Sequence, residues 1–147
     1  MTRSIISYPI MDCVFCKIAR GELSSYKVYE DENFLAFLDI TPVNPGHVLL
    51  IPKEHYKDLF ELPNNVLREM APLLKKVARA VKGGMQVGSI NIGMNNGKAA
   101  GQLVGHAHIH IMPRFEGDGY KLWHGEKYSA GEAEKVLEKI ISSLPLT

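Results

Sequence analysis

Residues 105–112 have the sequence GHAHIHIM and place three of the six histidines of the chain at alternating positions, namely His106, His108 and His110. In a β-strand, residues i, i+2 and i+4 share one face of the sheet, so this spacing predicts a row of three imidazole rings about 6–7 Å apart. The residues between the histidines are apolar and point to the opposite face, where they can enter a core. Such a row suits either one reactive ring with two supporting rings or a metal site.

A glycine-rich stretch, residues 95–102 (NNGKAAGQ), leads directly into the histidines. Glycines allow backbone N–H groups to approach an anion closely. A neutral imidazole can attack an electrophilic phosphorus atom, and a neighbouring imidazole can stabilise the negative charge that develops there. Together, the loop and the histidine row predict a site for a phosphate group.

The only two cysteines, Cys13 and Cys16, have the C-x-x-C spacing. In a reducing compartment this spacing indicates metal or redox chemistry rather than a structural disulfide. A redox pair usually lies beside a β-α-β pattern, which the sequence lacks. A structural zinc needs two more ligands, for which His55 and His106 are the natural candidates. Two reduced, buried cysteines without a metal are the remaining interpretation.

The composition is that of an ordinary globular domain. The chain has 147 residues, of which 46% are hydrophobic and 22% charged, and its formal net charge is +1. The length favours one domain, and the near-neutral charge gives no reason to expect a nucleic-acid or membrane-surface partner. No apolar run approaches the roughly 18 residues of a membrane span, and the N-terminus lacks the features of a signal peptide, so we expect a cytoplasmic location. Residues 1–11 are predicted to be a flexible extension, and residues 12–147 the folded domain.

Hydrophobic patterns and turn signals predict an α+β fold, with an antiparallel sheet of about five strands and three helices. The predicted strands cover residues 28–29, 34–38, 47–52, 89–95 and 104–112. The predicted helices are a short one over residues 13–20, a long one over residues 65–82 and a C-terminal one.

Each predicted helix has a recognisable start or end. Asp12 is predicted to cap the first helix, and the glycine pair at residues 83–84 to end the second. Pro72 lies inside the second helix and predicts a kink or a later start. Ser129 and Glu132 form a capping-box signature that opens the third. The apolar face of this third helix is expected to consist of Val136, Ile140 and Leu144.

The order of residues 106–112 (His, apolar, His, apolar, His, apolar, apolar) resembles the signature of the histidine-triad (HIT) family. The similarity extends from about Asp12 to Trp123. CVFCKIARGE resembles the first helix of the family, and FLAFLDITPVNPGHVLLIPKEH its nucleoside-binding region. NIGMNNGKAAGQ is similar to the loop before the triad, and MPRFEGDGYKLW to a continuation seen in many bacterial-type members. We therefore expect the HIT-like fold.

The resemblance implies roles for individual residues. His108, the middle histidine of the triad, corresponds to the nucleophile that forms a covalent nucleotidyl-histidine intermediate. His110 corresponds to a hydrogen-bond donor to the phosphate, and His47 to an upstream histidine that helps to position the nucleophile. Asp39 matches the position that contacts the ribose hydroxyls, and Asn95 matches a polar residue near the phosphate. The other expected nucleotide contacts are an apolar clamp around a purine and the loop before the triad: Phe15, Ile18, Phe37, Ile40, Gly101, Gln102 and Leu103. Core packing is the alternative interpretation for the apolar clamp.

Two positions of the motif bear on the type of reaction. Leu103 stands where many relatives have Ser or Thr, so a hydroxyl contact to the phosphate or leaving group is missing. Branches of the family that transfer nucleotides to a second phosphate have Gln in the place of His110, so this histidine favours hydrolysis. The expected activity is cleavage of nucleoside phosphoramidates, dinucleotide polyphosphates or related conjugates, with release of a nucleoside monophosphate.

The resemblance also implies a metal and a partner chain. The metal is one structural zinc per chain, bound by Cys13, Cys16, His55 and His106, with no metal in the chemical step. The partner is a second copy of the chain in a homodimer, joined through the sheets and the long helices. Two other classes of function stay open: a purine-nucleotide-binding regulatory or adaptor protein with incidental turnover, and a metallohydrolase in which all three triad histidines bind metal.

Overall fold

The computed structural model describes residues 12–146, so the predicted extension over residues 1–11 lies outside the described residues. Within the described range there are three α-helices, five β-strands and a short 3₁₀ helix at Lys98–Ala100. In chain order, the helices and strands are α1 (Val14–Ala19), β1 (Lys27–Glu30), β2 (Phe34–Leu38), β3 (Val48–Pro52), α2 (Asn64–Gly84), β4 (Ser89–Gly93), β5 (Ile109–Arg114) and α3 (Glu132–Ser142). The predicted α+β class is confirmed.

The five strands form one sheet in the order β1-β2-β3-β5-β4, and all neighbouring strands are antiparallel. β5 therefore lies between β3 and β4, although it comes last in the chain. Its residue His110 is opposite Leu49 of β3 on one side and Gly93 of β4 on the other. This inner position places the third histidine of the triad on a strand that is held along both edges.

The two faces of the sheet support separate apolar clusters. α2 covers one face, where Met70, Leu73 and Val77 pack with Phe34, Ala36, Val48, Leu50 and Ile111. α1 covers the other face, where Phe15 and Ile18 pack with Leu35, Phe37, Leu49 and Ile51. Neighbouring residues of β2 alternate between the clusters, as the period of two in a strand requires. Ala107 and Ile111 are buried in the α2 cluster and Ile109 packs against it, which confirms the face predicted for the residues beside the histidines.

The strand that carries the end of the triad begins later than predicted. β5 starts at Ile109, whereas the sequence pattern predicts a strand from residue 104. The N–H of Ala107 donates to the carbonyl of Tyr56, 2.7 Å away in the loop after β3, and not to a neighbouring strand. Only His110 of the three histidines therefore lies within the sheet.

The start of α1 also differs from the prediction. The cap of the helix is Cys13 and not Asp12, because the Sγ atom of Cys13 accepts a hydrogen bond from the N–H of Cys16 at 3.5 Å. Sulfur is a weak acceptor, so the carboxylate was the better candidate by residue type alone. The same turn brings both thiols to one end of the helix.

The bounds of α2 correct two expectations. The helix begins at Asn64, directly after Pro63, and continues through Pro72, so the predicted later start is wrong. It also includes both glycines at residues 83–84 and ends at Gly84, with Met85 as its C-terminal cap. Four residues of its inner face are buried: Met70, Leu73, Val77 and Val81. Burial of this apolar face outweighs the hydrogen bond that Pro72 removes.

At the start of α3, one of the two reciprocal contacts of a capping box is formed. The carboxylate of Glu132 accepts hydrogen bonds from the backbone N–H and the hydroxyl of Ser129, at 2.8 and 2.9 Å, while Gly131 takes the cap position. Leu144, predicted on the apolar face, lies beyond the end of the helix at Ser142. None of the residues of α3 is buried, so this helix lies on the surface of the protomer.

None of the helices described between residues 12 and 146 has the length and apolar character needed to cross a membrane.

The turn before β3 depends on Gly46. Its φ is +92°, and a Cβ atom added there would lie 2.5 Å from Cγ and 2.8 Å from Sδ of Met85. The turn that precedes His47 is thus packed directly against the end of α2, with no room for a side chain.

We predict that Gly46→Ala lowers the free energy of unfolding by about 2 kcal/mol, through backbone strain and the contact with Met85. The matched control is Gly83→Ala, where no atom lies within 4 Å of the added Cβ. This control should stabilise helix α2 by up to about 1 kcal/mol. Urea unfolding at equal protein concentration measures both effects, and a Gly46→Ala variant as stable as the original chain would contradict the prediction.

Candidate active site

The side chains of the triad belong to two different sites. His106 is fully buried, and its Nδ1 atom lies 3.5 Å from the Sγ atoms of both cysteines. His108 and His110 instead line a cavity, with their ring centroids 4.9 Å apart. The Phe15 ring lies edge-on to both His106 and His108, at 6.0 and 5.2 Å. In the predicted row of three rings, His106 therefore belongs to one site, and His108 and His110 belong to the other.

The hydrogen bond of His108 determines which of its ring nitrogens is free. Its Nδ1 atom lies 2.6 Å from the backbone carbonyl of His106. A carbonyl oxygen can only accept, so Nδ1 holds the proton and Nε2 holds the lone pair. His108 thus has an unprotonated nitrogen for the cavity, as a nucleophile requires.

A second chain of hydrogen bonds determines the tautomer of His110. The backbone N–H of Val43 donates to Nδ1 of His47 at 3.1 Å, so the proton of neutral His47 is on Nε2. That Nε2 lies 2.9 Å from Nδ1 of His110, which therefore accepts. The remaining nitrogen of His110, Nε2, is left protonated and can donate a hydrogen bond to an anion. His47 thus lines the cavity itself and also contacts His110 through its Nε2 atom.

Burial keeps these supporting rings neutral. The pKa of His110 is lowered to about 4, first by burial and then by the neighbouring histidines, while Asp39 opposes the shift. Burial also lowers the pKa of His47, again against the effect of Asp39. Both rings are therefore neutral at pH 7, as the relay of single protons requires.

The cavity beside these histidines has a volume of about 450 Å³ and combines apolar and polar walls. The residues of the predicted nucleotide site that line it are Phe15, Ile18, Phe37, Asp39, Ile40, His47, Asn95, Gly101, Leu103, His108 and His110. Phe15, Ile18 and Phe37 also belong to the apolar cluster under α1, so these three residues both pack in the core and line the cavity. Ile40 is 87% exposed and Leu103 is 96% exposed, which places these two at the open edge of the cavity.

Gln102 is the one predicted nucleotide contact that does not line the cavity. Its Oε1 accepts from the N–H of Gly97 at 2.9 Å, and its Nε2 donates to the carbonyls of Lys57 and Val104 at 2.7 and 3.0 Å. Both Oε1 and Nε2 of its side-chain amide are thus used to hold the glycine-rich loop. The residue supports the loop and does not contact the cavity.

Asp39 has one carboxylate oxygen free for a ligand. Its Oδ1 accepts from the N–H and the hydroxyl of Thr41, at 2.9 and 3.3 Å, and its Oδ2 lies 3.8 Å from Nε2 of His47. A carboxylate oxygen held in this way can accept hydrogen bonds from a diol. Thr41 also lines the cavity, and an Asp-x-Thr turn was a sequence signal that could have revealed it.

Several other lining residues were not predicted, namely Val14, Ser24, Ser25, Leu38, Leu49 and Val104. They reach the cavity from α1, from the loop before β1, from β2 and β3, and from the segment before β5. No local pattern distinguishes them from ordinary surface or core residues.

Four possible metal ligands meet at the other site. The Sγ atom of Cys16 lies 3.2 Å from Nδ1 of His55 and 3.5 Å from Nδ1 of His106, and with Cys13 all four ligand atoms lie within 4.8 Å of one another. A tetrahedral zinc ion with bonds of about 2.0–2.3 Å separates its ligands by about 3.3–3.8 Å. The predicted set of residues therefore fits zinc.

The hydrogen bonds around this cluster also suit a metal. Nε2 of His106 lies 2.8 Å from the carbonyl of Pro52, so Nε2 donates and Nδ1 keeps its lone pair for an ion. Burial raises the pKa of the Cys16 thiol to about 12, so a bound cation is what would stabilise its thiolate.

A second group, formed by Asp39, His47 and His110, has metal-like spacing but the wrong hydrogen bonds. Because Val43 donates to Nδ1 of His47, the Nε2 atom that faces this group is protonated and has no lone pair to offer. Since His106 belongs to the cysteine cluster, the three triad rings do not converge on one point. This arrangement argues against a metallohydrolase that uses all three.

The chain is similar in sequence to known proteins. The family model described as "HIT domain" matches residues 20–117. An uncharacterized HIT-like protein of Methanocaldococcus jannaschii is 44% identical over 128 residues, which cover 87% of this chain and 98% of that protein. An Arabidopsis thaliana protein named adenylylsulfatase HINT3 is 46% identical over 115 residues, which cover 78% of this chain and 57% of that protein.

Solved structures extend the similarity to the fold. A HIT family protein from Bacillus subtilis has a TM-score of 0.85 and 37% identity, with 92% of this chain and 99% of that chain covered. A zinc-bound histidine triad family protein from Mycobacterium smegmatis has a TM-score of 0.71 and 39% identity, with 91% and 99% covered. The sequence model, the relatives and the shared fold lead to one conclusion: this chain belongs to the histidine-triad (HIT) family.

Proposed function

We propose that the protein is a nucleotidyl hydrolase that cleaves nucleoside phosphoramidates or related nucleotide conjugates and releases a nucleoside monophosphate. Membership of the HIT family supports a nucleotide-binding or nucleotide-hydrolysing role. One observation carries the proposal: an unprotonated Nε2 on His108 and a protonated Nε2 on His110 line one cavity. The first is a nucleophile, and the second is a donor for the charge that the attack creates.

In the proposed first step, the lone pair of His108 Nε2 attacks the α-phosphorus of the conjugate. A nitrogen–phosphorus bond forms while the bond from phosphorus to the leaving group breaks, and the leaving group takes that electron pair and a proton from solvent water. His110 donates a hydrogen bond to a phosphoryl oxygen. Water then attacks the phosphorus and releases a proton to solvent, the electron pair of the breaking bond returns to Nε2 of His108, and the nucleoside monophosphate leaves.

The walls of the cavity support a purine nucleoside as the part of the substrate that stays bound. Phe15 and Phe37 are in edge-on contact, with ring centroids 5.4 Å apart, and offer apolar surface for a base. The free Oδ2 of Asp39 is a suitable acceptor for the ribose hydroxyls. The relative named adenylylsulfatase is in line with a nucleotide conjugate as substrate.

The charge of the cavity favours a neutral leaving group over a polyphosphate. Among the described residues that line it, none is Lys or Arg, and Asp39 adds a negative charge. Phosphate chains are usually bound by Lys, Arg or metal ions, so a polyphosphate would find no fixed cation here. At the open edge, Leu103 offers apolar surface where a hydroxyl would have contacted the leaving group. An amine with an apolar side chain fits this edge best.

Turnover of an AMP–amine conjugate by the zinc-loaded protein tests the proposal. We expect this conjugate to be cleaved at least about tenfold faster, in kcat/KM, than diadenosine tetraphosphate. His108→Ala should lower kcat by about 10⁴-fold or more, because it removes the nucleophile. His110→Ala should cost about 10²–10³-fold, because it removes one donor to the phosphate. Binding of AMP, measured by calorimetry, should survive in His108→Ala.

The matched control is His124→Ala, which changes an exposed histidine that does not line the cavity and should leave kcat unchanged. A His108→Ala variant that keeps a tenth or more of the original kcat would contradict the proposed nucleophile. A protein that binds AMP but turns over no conjugate would instead be a nucleotide-binding regulatory protein.

We also propose one structural zinc per chain, bound by Cys13, Cys16, His55 and His106. The convergence of the four ligand atoms, all within 4.8 Å of one another, supports it, and so does the zinc-bound relative from Mycobacterium smegmatis. Because the ligands come from α1, the loop after β3 and the segment before β5, the ion would tie α1 to the sheet. Cysteines that bind a metal and form no disulfide suit a reducing compartment, so we also propose a cytoplasmic location.

Elemental analysis of protein purified without chelator should find close to one zinc per chain. Cys13→Ser and His55→Ala should each lose the metal and lower the melting temperature, because the ion links separate elements. His124→Ala should keep both. Metal-free preparations with an unchanged melting temperature would contradict the structural role.

Finally, we propose a homodimer built on β4 and α2. Among residues 12–146, β4 is an edge strand, so one side of its backbone has no partner strand in that part of the chain. The groove beside it has a volume of about 300 Å³. Its lining combines five apolar residues with three cationic ones: Ala71, Leu74, Ala78, Ile90 and Ile92, with Lys75, Arg79 and Lys82. Trp123, next to the same strand, is 97% exposed. A second copy of the chain would cover this surface.

Light scattering at micromolar concentration should give about twice the chain mass of 16.4 kDa. Ile92→Lys should shift the mass toward one chain, because Ile92 is 51% exposed at the proposed interface. Ile40→Lys, an equal change at the cavity edge, should not. A value near one chain for the original protein would contradict the dimer under these conditions.

A further inference from the structure

The turn that carries His47 is anchored by polar groups outside the cavity. Asn44 is only 8% exposed, and its Nδ2 donates to the carbonyl of Pro113 at 2.9 Å and to Oδ2 of Asp118 at 3.0 Å. The backbone carbonyl of Asn44 accepts from the N–H of His47 at 3.1 Å. This one residue therefore joins the turn to the end of β5 and to the segment that follows it.

Asp118 is itself held rigidly. Arg114 donates from Nε and Nη2 to its two carboxylate oxygens, at 2.7 and 2.8 Å. The backbone N–H groups of Phe115 and Tyr120 also donate to it, at 3.2 and 3.1 Å. The hydrogen bonds from Arg114 hold the pKa of the Asp118 carboxyl well below its usual range, so it is a permanent acceptor for Asn44. The anchor is a charged, fully paired network.

The position of this turn decides the tautomer of His47. The N–H of Val43, next to Asn44, reaches Nδ1 of His47 at 3.1 Å and keeps the proton on Nε2. If the turn moved away, His47 could place its proton on Nδ1 and accept at Nε2 instead. His110 would then have to donate from its Nδ1, and its Nε2 would lose the proton that the phosphate needs. Displacement of this one N–H group would thus change the tautomers of both His47 and His110.

We propose that Asn44 and Asp118 are positioning residues that set the tautomers of His47 and His110 from outside the cavity. Neither residue lines the cavity, so they act only through the turn. The kinetic consequence rests on the proposed hydrolase function, whereas the tautomers can be measured without any substrate.

The test uses the zinc-loaded protein with ¹⁵N-labelled histidine. Two-bond ¹⁵N–¹H correlation spectra should show the Nε2–H tautomer for both His47 and His110. Asn44→Ala should give mixed tautomers at His47 and His110. The same variant should lower kcat by about 10- to 100-fold, the usual cost of a misplaced catalytic group, with KM changed by less than about threefold.

The matched control is Asn91→Ala, which removes a different partner of Arg114, 2.7 Å from its Nη1, without touching Asn44. It should change neither the tautomers nor kcat. Asp118→Asn keeps the shape of the side chain and should give a smaller shift in the same direction, and it decides the matter if Asn44→Ala does not fold.

Unchanged tautomers at His47 in both variants would overturn the proposal, and so would shifted tautomers with an unchanged kcat. A lowered kcat with unchanged tautomers would mean a structural role only and would also overturn it. If the original protein cleaves no nucleotide conjugate, the proposed function fails, and the spectra alone then decide whether Asn44 and Asp118 set the tautomers.

Discussion

The hydrogen bond from Nδ1 of His108 to the carbonyl of His106, 2.6 Å long, is the contact on which the proposed chemistry depends. It places the ring proton on Nδ1 and leaves the lone pair of Nε2 for the substrate. The carbonyl is well placed because its own residue is held on both sides. Nε2 of His106 is bound by the carbonyl of Pro52, and Nδ1 is close to both cysteines. A metal at the cysteine cluster would thus shape the reactive site without touching the substrate.

The alternation of side chains explains how the five residues 106–110 contribute to both the cysteine cluster and the cavity. Ala107, between the first two histidines, is buried under α2, which turns His106 and His108 to the opposite face. There the ring of Phe15 lies against both, so α1 fits between the cysteine cluster and the cavity. The same helix supplies both cysteines to one site and apolar walls to the other. Any shift of α1 would therefore move residues of both sites.

Much of this arrangement could be predicted from the chain alone, and the failures have physical causes. The alternation correctly predicted the face of the apolar residues between the histidines, because Ala107, Ile109 and Ile111 all face the cluster under α2. The alternation did not give the start of β5, because the N–H of Ala107 pairs with Tyr56, a residue far away in the sequence. Gln102 lies within a correctly predicted loop, yet its amide is used to hold the loop. The direction of a flexible polar side chain depends on tertiary contacts that no local pattern records.

The anchor of His47 was missed for the same reason. Asn44 and Asp118 are 74 positions apart, and neither has a residue type that by itself indicates catalysis. The tautomers of neutral histidines depend on single N–H and carbonyl groups of the backbone, which every residue has. Residue types and spacing can therefore identify the reactive rings, while only the folded structure shows which nitrogen of each ring is protonated.

The most direct measurement is the location of the covalent intermediate. The zinc-loaded protein would be mixed with a slowly hydrolysed phosphorothioate conjugate of AMP, quenched in base, and the adduct mapped by mass spectrometry and by ³¹P–¹⁵N correlation. We predict phosphorus bonded to Nε2 of His108. An adduct at Nδ1 of His108, or on His47, His106 or His110, would contradict the account, because the hydrogen bonds of the folded chain leave only one free nucleophilic nitrogen on the triad side of the cavity.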